Sequence, residues 1–145
     1  MTQRVDLSTV LDRLAIDEVV TGYAVAVDDD DWPGFRALFA PDGRADYTGA
    51  GGIEGPAGEV GDWLAGTLRP CPVRQHLIVN RRARIQDLGG YPGDLAELRA
   101  DYLRSLGELS GPGLMSGGRL TFGLVRAEPG WLLRTVTVTE KWRHA

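Results

Sequence analysis

Two changes of rhythm along the chain predict an α+β fold, with helices packed on one face of a mainly antiparallel sheet. Up to Leu68, apolar residues recur every three or four positions, the helical period. From Val73 the period falls toward two, the strand period, and Gly-, Pro- and Asp-rich breaks separate the later segments. A block of helices followed by consecutive strands is the α+β order. The 145 residues suffice for one domain with a core, and 43% apolar with 25% charged residues is ordinary for a soluble globular protein. We read 1–145 as a single domain without internal repeats.

The first helix is expected over 7–29, with Ser8 or Asp6 as N-cap and Asp12 as first-turn charge. Val10, Leu11, Leu14, Val19, Val20, Tyr23, Ala24 and Val27 carry its period. Asp28 falls four residues after Ala24 and so continues the Val20–Ala24 row. A carboxylate ending an apolar row is desolvated unless it has a partner. The acidic run Asp28–Asp31 also opposes the helix macrodipole, so something must compensate for it. Asp31 with Pro33 reads as the start of a second helix to about Ala40, burying Phe35, Leu38 and Phe39.

Pro41-Asp42-Gly43 is a turn signal, Arg44 to Thr48 a short strand containing Tyr47, and 49–52 a glycine-rich loop. Gly55-Pro56 precedes a third helix, Ala57 to Leu68, with Val60, Trp63, Leu64 and Leu68 inward. Gln75 to Asp87 is a long strand, with His76, Ile78, Asn80, Arg82, Arg84 and Gln86 on one side. Leu95 to Leu109 fits either element, and its local pattern slightly favours a helix. Gly111 to Gly118 reads as a loop and Leu120 to Arg126 as a strand. Glu128-Pro129-Gly130 is a hairpin turn, and Trp131 to Trp142 a long strand rich in β-formers.

Composition removes several function classes. A net charge of −4 argues against a nucleic-acid partner, and the Arg81, Arg82, Arg84 group reads as a solvated strand face without aromatic platforms. No apolar run reaches membrane-spanning length and the N-terminus lacks a signal-peptide core, so no membrane association and a cytoplasmic location are expected. The single cysteine, Cys71, lies between two prolines, which rules out an intrachain disulfide. Two histidines and one cysteine make no zinc set, and no phosphate loop opens a helix, so neither a metal nor a cofactor is expected.

The run Tyr23-x4-Asp28-x2-Asp31-Trp32, then Leu38-Phe39-Ala40-Pro41-Asp42, then Asp46-Tyr47, resembles the N-terminal half of SnoaL-like proteins. Gln75-His76-Leu77, Gly130-Trp131 and Trp142 extend the resemblance over nearly the whole chain. That group contains scytalone dehydratase-type and bile-acid dehydratase-type enzymes, polyketide cyclases and a dehydrochlorinase, all similar in fold to nuclear transport factor 2. The resemblance implies a cone-shaped α+β barrel, with three N-terminal helices on a strongly curved sheet around an internal pocket. It also implies that 95–109 is a strand, and we follow it there.

By the same resemblance, Asp28 and His76 are the catalytic pair, with His76 as general acid or base and Asp28 orienting it. Tyr23, Tyr47, Trp63 and Met115 are expected to bind substrate. The later-strand histidine of scytalone dehydratases is missing from Leu114 to Arg126, and Val27 stands where they carry a tyrosine. The implied reading is a cofactor-independent dehydratase or cyclase acting on a small cyclic or polyketide-type metabolite in an apolar pocket, in a homodimer or homotrimer. A ligand-binding or assembly module of the same fold is the alternative, as are a ketosteroid-isomerase-like isomerase and an epoxide hydrolase.

Overall fold

In the computed structural model of the protein, residues 7–86, 89–107, 113–128 and 130–144 are described. The order is α1 (Leu7–Asp28), α2 (Trp32–Ala37), β1 (Phe39–Gly49), β2 (Glu54–Pro56), α3 (Ala57–Leu68), β3 (Val73–Gln86), β4 (Leu95–Gly107), β5 (Leu114–Arg126) and β6 (Trp131–His144). One sheet runs β2-β1-β6-β5-β4-β3. Only the β1–β6 pair is parallel. This is the α+β architecture expected, with the helices against a mostly antiparallel sheet. Among the described residues no helix is long and apolar enough to cross a membrane.

Helix α1 buries its C-terminal half: Ile16, Val20, Tyr23, Ala24, Ala26 and Val27 enter the core. Its N-terminal half departs from expectation, because Val10, Leu11 and Leu14 stand exposed. Ser8 is already helical, so it is not the cap, and Asp6 lies outside the described residues. Asp12 sits beyond the first turn. Helix α2 begins as expected, with the Asp31 side chain accepting from Gly34 N–H at 2.9 Å. It stops at Ala37, and Phe39 and Ala40 already belong to β1. The Pro41-Asp42-Gly43 turn signal is a bulge inside that strand, where Phe39 faces Leu133 and Arg44 already faces Thr135.

The segment from Leu95 is a strand, β4. Ala96, Leu98, Ala100, Tyr102 and Leu106 are all buried, a period of two that the helical spacing of the leucines had masked. Its neighbours on both sides decide the matter, since β3 and β5 pair along its length. Residues 108 and 109 of the expected element, and Pro129 of the expected turn, lie outside the described residues. Strand β5 starts at Leu114, inside the stretch expected to be a loop.

Two bulges set up the site. In β3, Val79 faces Asp101 and Arg82 faces Arg99, so one extra residue is inserted. Asn80 absorbs it at φ +53°, a conformation asparagine tolerates better than most residues. The bulge reverses the alternation expected over 76–86. His76 and Ile78 point inward before it, and Arg81, Ala83 and Ile85 after it. In β6, Glu140 faces Gly118 and Trp142 faces Gly117, so Lys141 is the extra residue. Glu140 and Arg143 thereby come to the same side although three positions apart, and they form an ion pair.

Candidate functional site

The acidic end of α1 is compensated by one arginine. Arg74, on β3, donates from Nη1 to the carbonyl of Val27 at 3.0 Å and from Nη2 to that of Leu68 at 3.1 Å, capping α1 and α3 together. Its Nε–H goes to the carbonyl of Cys71 at 2.8 Å. Nη1 also pairs with Asp30 at 3.2 Å. Asp30 closes the helix at φ +58° and accepts from Trp32 Nε1–H at 2.7 Å. These two donors, Trp32 first, hold its carboxyl below the usual carboxylate range. Nearby Arg36 pairs with Asp62.

Asp28 is left to face His76. Its Oδ2 accepts the backbone N–H of His76 at 2.8 Å, and its Oδ1 lies 2.5 Å from Nδ1. A carboxylate there fixes the tautomer: Nδ1 carries the proton and donates it, so Nε2 keeps its lone pair. Both side chains are largely withdrawn from water, 13% exposed for His76 and 16% for Asp28. Among the described residues Nε2 makes no hydrogen bond, and the only buried polar side-chain atom left unpaired is Tyr102 Oη. Among the described residues Nε2 is therefore left as an acceptor nitrogen.

Sheet register carries the site away from the dyad. His76 faces Arg104 across β3–β4, Arg104 faces Ser116 across β4–β5, and Ser116 faces Arg143 across β5–β6. The next row is Ile78, Tyr102, Gly118 and Glu140. Arg104 donates from Nε to Ser116 Oγ at 3.1 Å and lies 3.9 Å from Glu140. Glu140 is gripped by Arg143 through both oxygens, at 2.8 and 2.9 Å, which holds its carboxyl below the ordinary range. Of these, Arg104, Glu140 and Arg143 border a cavity of about 690 Å³ with Tyr47, Trp63 and Leu114. Asp28 itself borders a smaller hollow of about 420 Å³ with Trp32, Arg69 and Arg74. His76 is in the lining of neither, but it is bonded to Asp28 and faces Arg104 in the β3–β4 register.

The structure thus brings Asp28 and His76 together from positions 48 apart in sequence. Tyr47 and Trp63 line the larger cavity, their rings 5.7 Å apart edge to face. Tyr23 is a core residue, packed on Phe35 and Phe122, whose hydroxyl shares a hydrogen bond with that of Tyr47. Burial pushes the Tyr47 hydroxyl pKa well up, so it stays a neutral donor. Met115 is a correction: alternation on β5 turns it to the outer face at 49% exposure, and Leu114 takes the place expected for it. The larger cavity has an apolar side, with Trp63, Leu64, Leu106 and Leu114, and a charged side made by Arg104, Glu140 and Arg143. Sequence reasoning missed these three and Tyr102. Arg104 was within reach, because it continues the inward set Ala96, Leu98, Ala100, Tyr102; Glu140 and Arg143 needed the bulge. Among the described residues no three His, Cys, Asp or Glu side chains converge as a metal-binding group.

Comparison with known proteins bears on this arrangement. The uncharacterized protein Rv2910c of Mycobacterium tuberculosis is 30% identical over 93 residues, 64% of this chain and 59% of that protein, so the match spans less than two thirds of its length. A solved protein of Novosphingobium aromaticivorans, provisionally named an aromatic ring hydroxylase, superposes with a TM-score of 0.80 at 25% identity, covering 93% of each chain. A hexachlorocyclohexane dehydrochlorinase, LinA type 2, superposes with a TM-score of 0.79 over 97% of this chain and 92% of its own. At 17% identity that likeness is one of fold. The pattern of the SnoaL-like domain matches residues 8–137, which takes in α1 from Ser8, the dyad and the sheet into the first half of β6. The chain belongs to the SnoaL-like domain family.

Proposed function

We propose that the protein is a cofactor-independent lyase or cyclase for a small cyclic metabolite, with His76 as the group that moves the proton. One observation carries this: Asp28 engages Nδ1 of a nearly buried imidazole, whose Nε2 has no partner among the described residues. A C–H beside a carbonyl gives its proton to Nε2, and the electron pair forms the new double bond or attacks a neighbouring carbonyl. In the dehydratase version the β-hydroxyl leaves as water, taking a proton back from the imidazolium. Asp28 orients the ring and stabilises its cationic form. Tyr47, held by Tyr23, is a neutral donor to a substrate oxygen, and Trp63 offers an aromatic wall.

The test is turnover of a panel of cyclic β-hydroxy ketones, read by loss of water in the mass spectrum. His76→Ala and Asp28→Asn each lower the rate by about 10²–10⁴-fold, the usual worth of general-base help. Turnover retained in both variants rejects the mechanism.

The backbone bond from His76 N–H to Asp28 favours a second reading, in which the pair is a strut tying α1 to β3 within a binding module. Under that reading Asp28→Asn lowers the melting temperature and no panel member is converted. Epoxide hydrolysis fits poorly. Glu140 supplies a second carboxylate beside Arg104, but Arg143 occupies both its oxygens and His76 both of Asp28's.

We also propose that the protein assembles with further copies of itself through the outer face of the sheet. Leu77, Leu103 and Trp142 lie in one register row there, and each is at least 40% exposed.

A further inference from the structure

The larger cavity holds a surplus positive charge. Arg104 and Arg143 face a single carboxylate, Glu140. Arg143 takes both oxygens of that carboxylate in parallel bonds, whereas Arg104 stands off at 3.9 Å and spends only its Nε–H, on Ser116. Among the described residues its two terminal nitrogens make no hydrogen bond. A guanidinium cannot shed its charge, and this one is only 14% exposed. A largely buried cation without a close counter-ion is costly unless something occupies it. Two residues before Arg104 on the same face of β4, Tyr102 Oη is buried and among the described residues has no partner, although Tyr102 is not part of the cavity lining. The charges of Arg104, Glu140 and Arg143 all act on that hydroxyl, which places it in the same electrostatic neighbourhood.

From this geometry we infer that the cavity recognises a substrate carrying a carboxylate, anchored by Arg104. The inference rests on the acid–base reading above and narrows its substrate to an acid. Arg104 lies directly opposite His76 in the β3–β4 pair, and facing residues in such a pair have Cβ atoms only about 5 Å apart. The guanidinium itself reaches toward Ser116 on β5 and Glu140 on β6, so the anchored carboxylate sits on that side of the cavity and the substrate spans from there toward the imidazole. Glu140 sets the strength of the anchor by partly offsetting it. The cavity of about 690 Å³ lies within the range of pockets for compact ring systems.

The probes are 1-naphthoate and its uncharged counterpart 1-naphthamide, titrated into the full-length protein and followed by NMR shift changes. Naphthoate should bind the native protein about tenfold or more tightly than naphthamide, the worth of one charge-assisted hydrogen bond. Arg104→Met should erase that preference, while Glu140→Gln should strengthen naphthoate binding. The opposite signs separate recognition from damage to the fold, because a misfolded variant gains no affinity. Equal binding of the two probes, no binding of either at millimolar concentration, or a preference that survives Arg104→Met overturns the inference. Binding is read without turnover. A protein that prefers the carboxylate but converts no substrate sinks only the acid–base reading, and a working lyase indifferent to the carboxylate sinks only this one.

Discussion

The two ends of α1 dock on the sheet by the same device, a carboxylate meeting a cationic or basic side chain, and the contrast between them separates a strut from a site. Near the N-terminal end Asp12 takes Nη1 and Nη2 of Arg126 at 2.8 and 2.9 Å and Trp131 Nε1–H at 3.2 Å. The same guanidinium donates Nε–H to buried Asp94 at 3.1 Å and stacks 4.5 Å over Trp131. At the C-terminal end Asp28 meets His76, whose second nitrogen is unspent. Arg126 is held even more firmly in its charged form by its two carboxylates, Asp12 first, so it exchanges no proton at any physiological pH. An imidazole with a free nitrogen is a group that can take and return a proton. The geometry of the two links is alike; the chemistry available to each is not.

The largest expected effect tests that contrast. Asp28→Asn should lower turnover by about 10²–10⁴-fold, while Asp12→Asn should leave turnover unchanged and act only on stability. If the two variants lose activity in equal measure, both links are struts, and the reading of the C-terminal end as a site is wrong. The comparison needs both rates and both melting curves from the same preparation.

Next in size is Arg74→Met. This side chain is 5% exposed, serves three carbonyls from two helices and the loop after α3, and pairs with Asp30. Its removal strands those carbonyls and leaves the acidic run at the end of α1 uncompensated. A loss of about 2–4 kcal/mol in unfolding free energy by denaturant titration is expected, with the dyad disturbed as a consequence. Retained stability would mean that water caps the two helices as well as the arginine does.

How far the chain announces this arrangement differs between its two halves. The helices were legible because apolar spacing and the Asp31–Pro33 start are local signals. Asp28 was visible as a carboxylate ending an apolar row, and the resemblance alone supplied His76 as its partner. Arg74 went unread, although the need for a compensating group at Asp28–Asp31 was plain, because the partner arrives from another element. The bulges at Asn80 and Lys141 were also hidden. Each shifts the phase of a strand by one residue, and only pairing with a neighbour defines them. That is why Glu140 and Arg143 were missed; Met115 was misplaced for a different reason, because 111–118 reads as a loop whereas β5 already alternates from Leu114.

A smaller effect concerns the outer face, away from both ends of α1. Leu77→Lys with Trp142→Glu should convert a self-associated species to monomer in sedimentation velocity without touching the dyad. An unchanged sedimentation coefficient in the variant, or a monomeric native protein at micromolar concentration, removes the assembly proposal.

The smallest effect is the acid limb of stability, and its sign follows from the N-terminal link. The Arg126 hydrogen bonds hold the Asp12 carboxyl below its ordinary 3.8, with partial burial opposing and Trp131 assisting. A carboxylate whose folded pKa is depressed contributes stability in full above its unfolded value and loses it as the pH falls through the folded one. Asp12→Asn should therefore cost about 1 kcal/mol at neutral pH, in line with a partly exposed charge-assisted bond. The native and variant melting temperatures should then converge once the pH drops below about 4, where the unfolded carboxyl begins to take up its proton. Were the gap between them constant from pH 7 to pH 3, Asp12 would contribute through packing and its bond to Trp131 alone. The N-terminal link would then lose its ionic character, and with it the basis for setting it beside Asp28 and His76.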